Sequence, residues 1–236
     1  MKFDITEVWG FEHAMRGMRN PKESWKKSDS MWVPTEEFQD GYRLMKYQIG
    51  ANDMQLAQTL IRAGSEHRKF MRQIFVSVDI TAPLYWWKEF DTYKVGTVAN
   101  STSTMHKLAS TPITEDCFEM DDFEDLEDCN FSVPDNGYDG VGSVWEDTVY
   151  NLERLRYKYN KTKDKRYWKE LIRLLPESWL QKRTVTMNYE NLLAMCSKGQ
   201  RRFHKLTEWS DSFIKWARDL PYAQELIFID EEENGK

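Results

Sequence analysis

Cysteine is scarce in this chain. Cys117, Cys129 and Cys196 are three in number, far apart and without a Cys-x-x-Cys pair. That argues against a disulfide framework or a zinc site and for a reducing cytosol. No apolar run approaches the length needed to span a bilayer, and Met1-Lys2-Phe3-Asp4 does not begin a secretory signal. The expectation is therefore a cytoplasmic protein with no membrane partner. A Gly-x-Gly-x-x-Gly fingerprint, a P-loop and an internal repeat are all missing, so the common dinucleotide and NTP motifs are excluded as sequence signals. His13, His67 and His204 lack metalloprotease spacing. The run Asp135 to Gly140 has turn residues but not the ligand spacing of a calcium loop, so no metal is expected. Net charge −6 disfavours nucleic acid as a partner, because such binding depends on neutralising phosphates.

What is present is length, aromatics and charge in blocks. The 236 residues suit a single domain, 1–236, with an acidic excursion at about 112–143. Aromatic residues make up 14% of the chain, including ten Trp, enough to supply large buried side chains. From Glu115 to Asp128 no basic residue appears, whereas from Arg154 onward Lys and Arg dominate. Such halves pair within or between chains, or form two separate solvated faces.

Periodicity predicts a strand over 2–9, a short helix over 12–18 ended by Asn20-Pro21, and a loop over 24–34 that leaves Ser24, Lys26, Lys27 and Ser28 available to a ligand. Asp53 is expected to cap a helix bearing Leu56, Leu60 and Ile61, and Ser65 to cap another through Met71. A strand over 75–80 follows. Further helices are expected over 144–159, 165–174, 184–197 and 206–219. Few strands among many helices predict an α+β fold.

The densest stretch runs from Ile80 to Leu108, ITAPLYWWKEFDTYKVGTVANSTSTMHKL. Thr81 suits a helix cap and Pro83 its first turn. Trp86 and Trp87, adjacent on that helix, point in different directions, one inward and one aside, where a ring could stack; core packing of at least one is the favoured alternative. After Lys94 come Gly96 and small hydroxyl residues, which bring backbone amides and hydroxyls close to a ligand such as a phosphate. His106 ends that run and is suited to proton transfer. Lys182-Arg183 and Arg201-Arg202 are candidate anion sites; basic helix ends are the alternative.

These residues carry a resemblance. An apolar strand, a Pro- and Trp-bearing helix and a hydroxyl run resemble the signature region of flavin-dependent thymidylate synthases, where Arg-Gln-Trp leads into Arg-His-Arg, then seven residues, then Ser. Here Lys88, Glu89 and Phe90 stand at the first triplet. The second becomes Asp91-Thr92-Tyr93, with Ser101 at the right spacing, or Thr92-Tyr93-Lys94, with Thr102 there. The latter register also places Thr97 on an internal Ser of the motif. Near the C-terminus Leu174-Leu175-Pro176 and Arg183 to Met195 are similar to the family's Leu-Pro turn and Asn-x-Arg-Ser-Leu-x-x-Phe helix. Asn188, Leu192 and Met195 match, whereas Glu190 and Gly199 stand where arginines are usual. The RGMRNPKESWKKSDS and WWKEFDTYKVGTVANSTSTMHK runs also resemble uncharacterised proteins of phage and Firmicutes genomes.

The resemblance implies a small antiparallel sheet with many helices, FAD as cofactor and dUMP as substrate, and a homodimer or homotetramer with shared sites. It assigns nucleotide contacts to Lys88, Glu89, Lys94, Thr97, Ser101, Thr102 and, for dUMP, Arg201 or Arg202; His106 joins them from the residue reading. No catalytic residue is assigned. Loss of Arg-His-Arg leads us to expect nucleotide binding without standard FAD-dependent turnover. The alternatives are a divergent pyrimidine-methylating flavoenzyme, sequestration of a signalling nucleotide in a phage setting, or a role in assembly alone.

Overall fold

The computed structural model describes residues 1–120, 141–199 and 205–229. In chain order these form β1 (Lys2–Trp9), α1 (Phe11–Arg19), β2 (Met31–Gln39), β3 (Tyr42–Gln48), α2 (Ala51–Arg62), β4 (Phe75–Pro83), α3 (Leu84–Phe90), β5 (Val98–Ser101), α4 (Thr104–Lys107), α5 (Val141–Thr162), α6 (Lys165–Arg173), β6 (Leu180–Asn188) and α7 (Tyr189–Met195). A π-helical stretch, Glu208–Phe213, and two short helices follow. The architecture is α+β. One sheet has the order β1-β4-β6-β5, and β2 pairs antiparallel with β3 as a separate hairpin.

The chain divides into two units, the first comprising Met1–Lys2, Ile80–Phe90 and Asn100–Arg183, the second Phe3–Asp79, Asp91–Ala99 and Thr184–Lys236. In the first, Leu108, Ile113, Phe118, Leu152 and Leu171 form a buried cluster. Phe118 packs edge-on against both Trp145 and Trp179. Ile113 and Phe118 come from the beginning of the expected acidic excursion; 121–140, with Cys129 and the Asp135–Gly140 turn, lies outside the described residues. In the second, Met15, Ile74, Met187, Tyr189, Leu192, Met195, Trp209 and Phe213 are fully buried.

Several expectations are corrected. Thr81 does not cap a helix: β4 continues through Pro83, and α3 begins at Leu84. The residues 24–34 are not all loop, because Met31 starts a hairpin with Trp32 opposite Tyr47 and Val33 opposite Lys46. Residues 184–197 are not one helix; Leu180–Asn188 is a strand and the helix begins at Tyr189. The β-branched Thr184, Val185 and Thr186 favour that strand. The Ser65-capped helix is replaced by a 3₁₀ turn, Lys69–Gln73. The hydroxyl run, for which no element was expected, forms a short strand and a helical turn capped by Ser103.

Asp53 does not cap α2. Asp29 does, accepting from the amides of Asn52 and Asp53 at 2.9 and 3.1 Å. Asp29 lies so close to Gly50 that a Cβ there would sit 2.2 Å from its carboxyl carbon, so only glycine fits before the helix. Asp53 is instead fully buried and accepts from Arg19 Nε at 2.5 Å, Ser28 Oγ at 2.6 Å and Ser30 Oγ at 2.5 Å. An isolated buried carboxylate is too costly to persist. These three donors make it tenable and fix the chain before the hairpin to α1 and α2.

Candidate functional site

Within the first unit, α3 holds the aromatic end of the signature. Trp86 and Trp87 are both buried, so core packing holds for the pair and neither offers an open face at the surface. Trp86 stacks on Phe90, and Trp87 Nε1 donates to the carbonyls of Ala82 and Gln181 at 3.1 and 3.0 Å. The guanidinium of Arg183 lies 4.2 Å over the Trp87 ring, and its Nε donates to Gln181 Oε1. Both rings are core, and the Trp87 indole nitrogen and one of its faces are committed. Lys88 is exposed and forms an ion pair with Glu177 at 2.6 Å. Glu89 is half-buried on the same helix. Ser101 is exposed, and Thr102 is held through its backbone: its amide donates to the Lys182 carbonyl, and its carbonyl accepts from Gln181 Nε2. His106 is exposed on the turn capped by Ser103.

Lys94 and Thr97 belong to the second unit. Lys94 is exposed; the Thr97 hydroxyl donates to the Tyr93 carbonyl at 2.6 Å, and the Tyr93 ring packs on Trp209. The loop they share is clasped to the start of α7. Asn188 and Asn191 form a reciprocal capping box, and Asn191 Nδ2 donates to the Val95 carbonyl at 2.6 Å. Gly96, at φ 80°, brings the loop so near that a Cβ would lie 2.8 Å from Asn188 Nδ2. Leu192 and Met195 are buried beneath. Arg201 and Arg202 lie outside the described residues. The predicted contacts are thus divided between the units, and each set stands by itself.

The second unit also holds cavities that sequence reasoning largely missed. One of about 640 Å³ is lined by the apolar Met18, Leu56, Leu60 and Phe70 and by the polar Lys22, Ser24, Glu66, His67 and Lys69. The volume is that of a small-molecule site, and apolar walls with a few convergent polar groups are its usual lining. Ser24 was legible as a ligand-facing loop residue. His67 and Lys69 were not, because a helix was expected there.

Across the same turn, a cavity of about 520 Å³ is lined by Arg62, Gly64, Arg68, Ser197 and Lys198. Beside it, Glu190 pairs with Arg68 at 3.3 Å and with Arg72. Burial works against that carboxylate's charge, but the hydrogen bonds from Arg72 and Arg68 outweigh it and hold its pKa below the usual value. Glu190, standing where the family has an arginine, therefore neutralises part of a basic wall. Among the described residues no group of three His, Cys, Asp or Glu could hold a metal ion, and no helix is long and apolar enough to cross a membrane.

No family model and no curated protein matches the chain. Solved structures do. The flavin-dependent thymidylate synthase ThyX of Helicobacter pylori, complexed with FAD and dUMP, is similar over 98% of this chain and 99% of its own, at 18% identity and a TM-score of 0.62. The UMP/dUMP methylase PolB of Streptomyces cacaoi, bound with 5-Br dUMP, is similar over 97% and 94%, at 14% identity and a TM-score of 0.57. The fold of this chain is therefore that of the flavin-dependent thymidylate synthases.

Proposed function

We propose that this protein binds a phosphate-bearing nucleotide without standard flavin-dependent turnover. The observation that carries the reading is the cavity of about 640 Å³, whose apolar residues suit a ring and whose Lys22, His67 and Lys69 outnumber the single carboxylate Glu66. Ammonium groups suit phosphate, and each charged hydrogen bond contributes roughly 1.5–3 kcal/mol. Arg62, Arg68 and Lys198 in the neighbouring cavity offer a second anionic subsite. The fold shared with proteins crystallised with dUMP and 5-Br dUMP supports the same ligand class. Pyrimidine mononucleotides such as dUMP are the first candidates, in a cytoplasmic homodimer or homotetramer.

FAD does not fit the signature residues. A flavin diphosphate needs cations along the run that follows α3, and the run offers Lys94. Tyr93 is turned onto Trp209, Thr97 donates within the chain, and Trp86 and Trp87 are buried. No step through a flavin is derived. Lys88, Glu89, Lys94, Thr97, Ser101, Thr102, His106, Arg201 and Arg202 remain the proposed nucleotide contacts from the resemblance, with Lys22, His67 and Lys69 added from the cavity.

The test is a thermal-shift and calorimetry panel of dUMP, dTMP, FAD, FMN and cyclic nucleotides. A nucleotide at a hundred times its Kd adds about 2.7 kcal/mol of stability. Lys22→Ala/Lys69→Ala should abolish that shift while Lys94→Ala and Ser101→Ala weaken it. No binding by any member overturns the reading. Growth of a thymidine-requiring strain on this protein would establish the methylating flavoenzyme instead.

A further inference from the structure

A separate cavity of about 870 Å³ lies in the second unit against the hairpin, bounded by the end of β1, the start of α1, and Tyr222. Its walls are aromatic: Trp9, Phe11, Trp32, Tyr47 and Tyr222. The two indoles remain about half exposed, Trp9 at 44% and Trp32 at 51%, although such rings usually seek burial. The walls are nonetheless fixed in place. Trp32 meets Tyr47 edge-on at 5.5 Å, Trp9 stacks on Phe75, and Phe11 meets Tyr222 edge-on at 5.4 Å. The Tyr222 hydroxyl donates to the Tyr47 carbonyl and accepts from the Ile49 amide. Rings held this way present faces to a guest at little ordering cost.

Among the polar lining residues the carboxylate is Glu12. Glu12 is exposed in the first turn of α1, and its Oε2 accepts from Trp32 Nε1 at 3.2 Å. A carboxylate accepts at about four lone-pair sites, so one indole leaves most of its capacity for a ligand. Lys46 also lines the cavity, opposite Val33 in the hairpin and one step out of register with the Trp32–Tyr47 pair. His13 also lines the cavity and adds a ring-nitrogen donor or acceptor. A flat neutral ring with adjacent N–H donors on one edge satisfies both features, since two donors can meet the two carboxylate oxygens in parallel.

We propose that this cavity binds the base of a guanine-type purine, with the ring against the Trp9 and Trp32 indoles and its N1–H and 2-amino group donating to Glu12. Adenine presents no such donor pair, and hypoxanthine lacks the 2-amino group. Guanosine is the probe, because without phosphate it does not draw on the lysines of the nucleotide cavity.

The experiment is calorimetric titration of guanosine, inosine, adenosine and choline into the full chain and into Glu12→Gln, Trp32→Phe and Lys69→Ala. Guanosine should bind the wild type, and inosine roughly tenfold or more weakly, the effect of losing one charge-assisted bond. Glu12→Gln should collapse the guanosine-to-inosine ratio, a readout that loss of folding alone does not imitate. Trp32→Phe, which keeps a ring but removes the donor orienting Glu12, should weaken guanosine less than Glu12→Gln does. Lys69→Ala should leave guanosine binding unchanged. No guanosine binding, equal binding of adenosine, a preference for choline, or sensitivity to Lys69→Ala with indifference to Glu12→Gln would each overturn the proposal. Failure of the mononucleotide panel alone would leave this site standing, so the two readings fail separately.

Discussion

Helix α3, Leu84–Phe90, stands out in the sequence, and the turn over 64–73 does not. In the structure their weights change places. The tryptophans of α3 are buried among other rings and carbonyls, and its Lys88 is paired on the surface. The turn contributes His67, Lys69 and Phe70 to one cavity and Gly64 and Arg68 to another. Dense aromatic motifs draw the eye because large rings fill a core. Short polar turns of mixed composition are where a chain can leave side chains uncommitted.

That contrast breaks most readily at the core. Trp86→Ala should destabilise the fold by about 3–5 kcal/mol, the range for emptying a buried aromatic site, measured by urea unfolding. Near-wild-type stability with lost nucleotide binding would instead make α3 a ligand platform.

Asp53→Ala should have an effect of similar or slightly smaller size, about 3–5 kcal/mol, because it strands Arg19 without its buried partner. The carboxyl carries a pH signature as well. Burial opposes its charge, and hydrogen bonds from Ser28, Ser30 and Arg19 outweigh that opposition and hold its pKa below the ordinary value. A depressed carboxylate pKa means stability that is present above about pH 4 and lost as pH falls through the folded value. Melting curves across acid pH should show that loss in the wild type and a shallower one in Asp53→Asn.

The smallest expected effect on stability sharpens the other side. Glu190→Gln removes the partner of Arg68 and Arg72 in a largely surface network, at a cost of under about 1 kcal/mol. The released guanidiniums should raise the affinity for anionic nucleotides, read by the same calorimetry. Weaker binding in Glu190→Gln would show that the pair positions the cavity wall instead of neutralising it.

Much of this was legible along the chain. Strand β1, helix α1 and the long α5 follow from local periodicity. The strand Leu180–Asn188 was hidden because its residues also fit a helical pattern and only pairing with neighbouring strands decided between them. The hairpin was hidden because β2 and β3 are mostly exposed and carry little alternation. Asp53 was misread as a cap for a simple reason: an acidic residue in a first turn looks alike in sequence whether it meets amides or a buried arginine.

The sequence by itself determined the α+β composition, the aromatic content that must be buried, the lack of cysteine pairs, and the layout shared with a fold family. Those follow from local propensity and residue chemistry, which act over a few positions. Tertiary structure alone decided which cations face a cavity and which are paired, that Asp53 is held by Arg19, Ser28 and Ser30, and that Trp32 of the hairpin meets Glu12 of α1. These depend on residues tens of positions apart meeting within hydrogen-bond distance, and such meetings are set by packing, which no local pattern encodes.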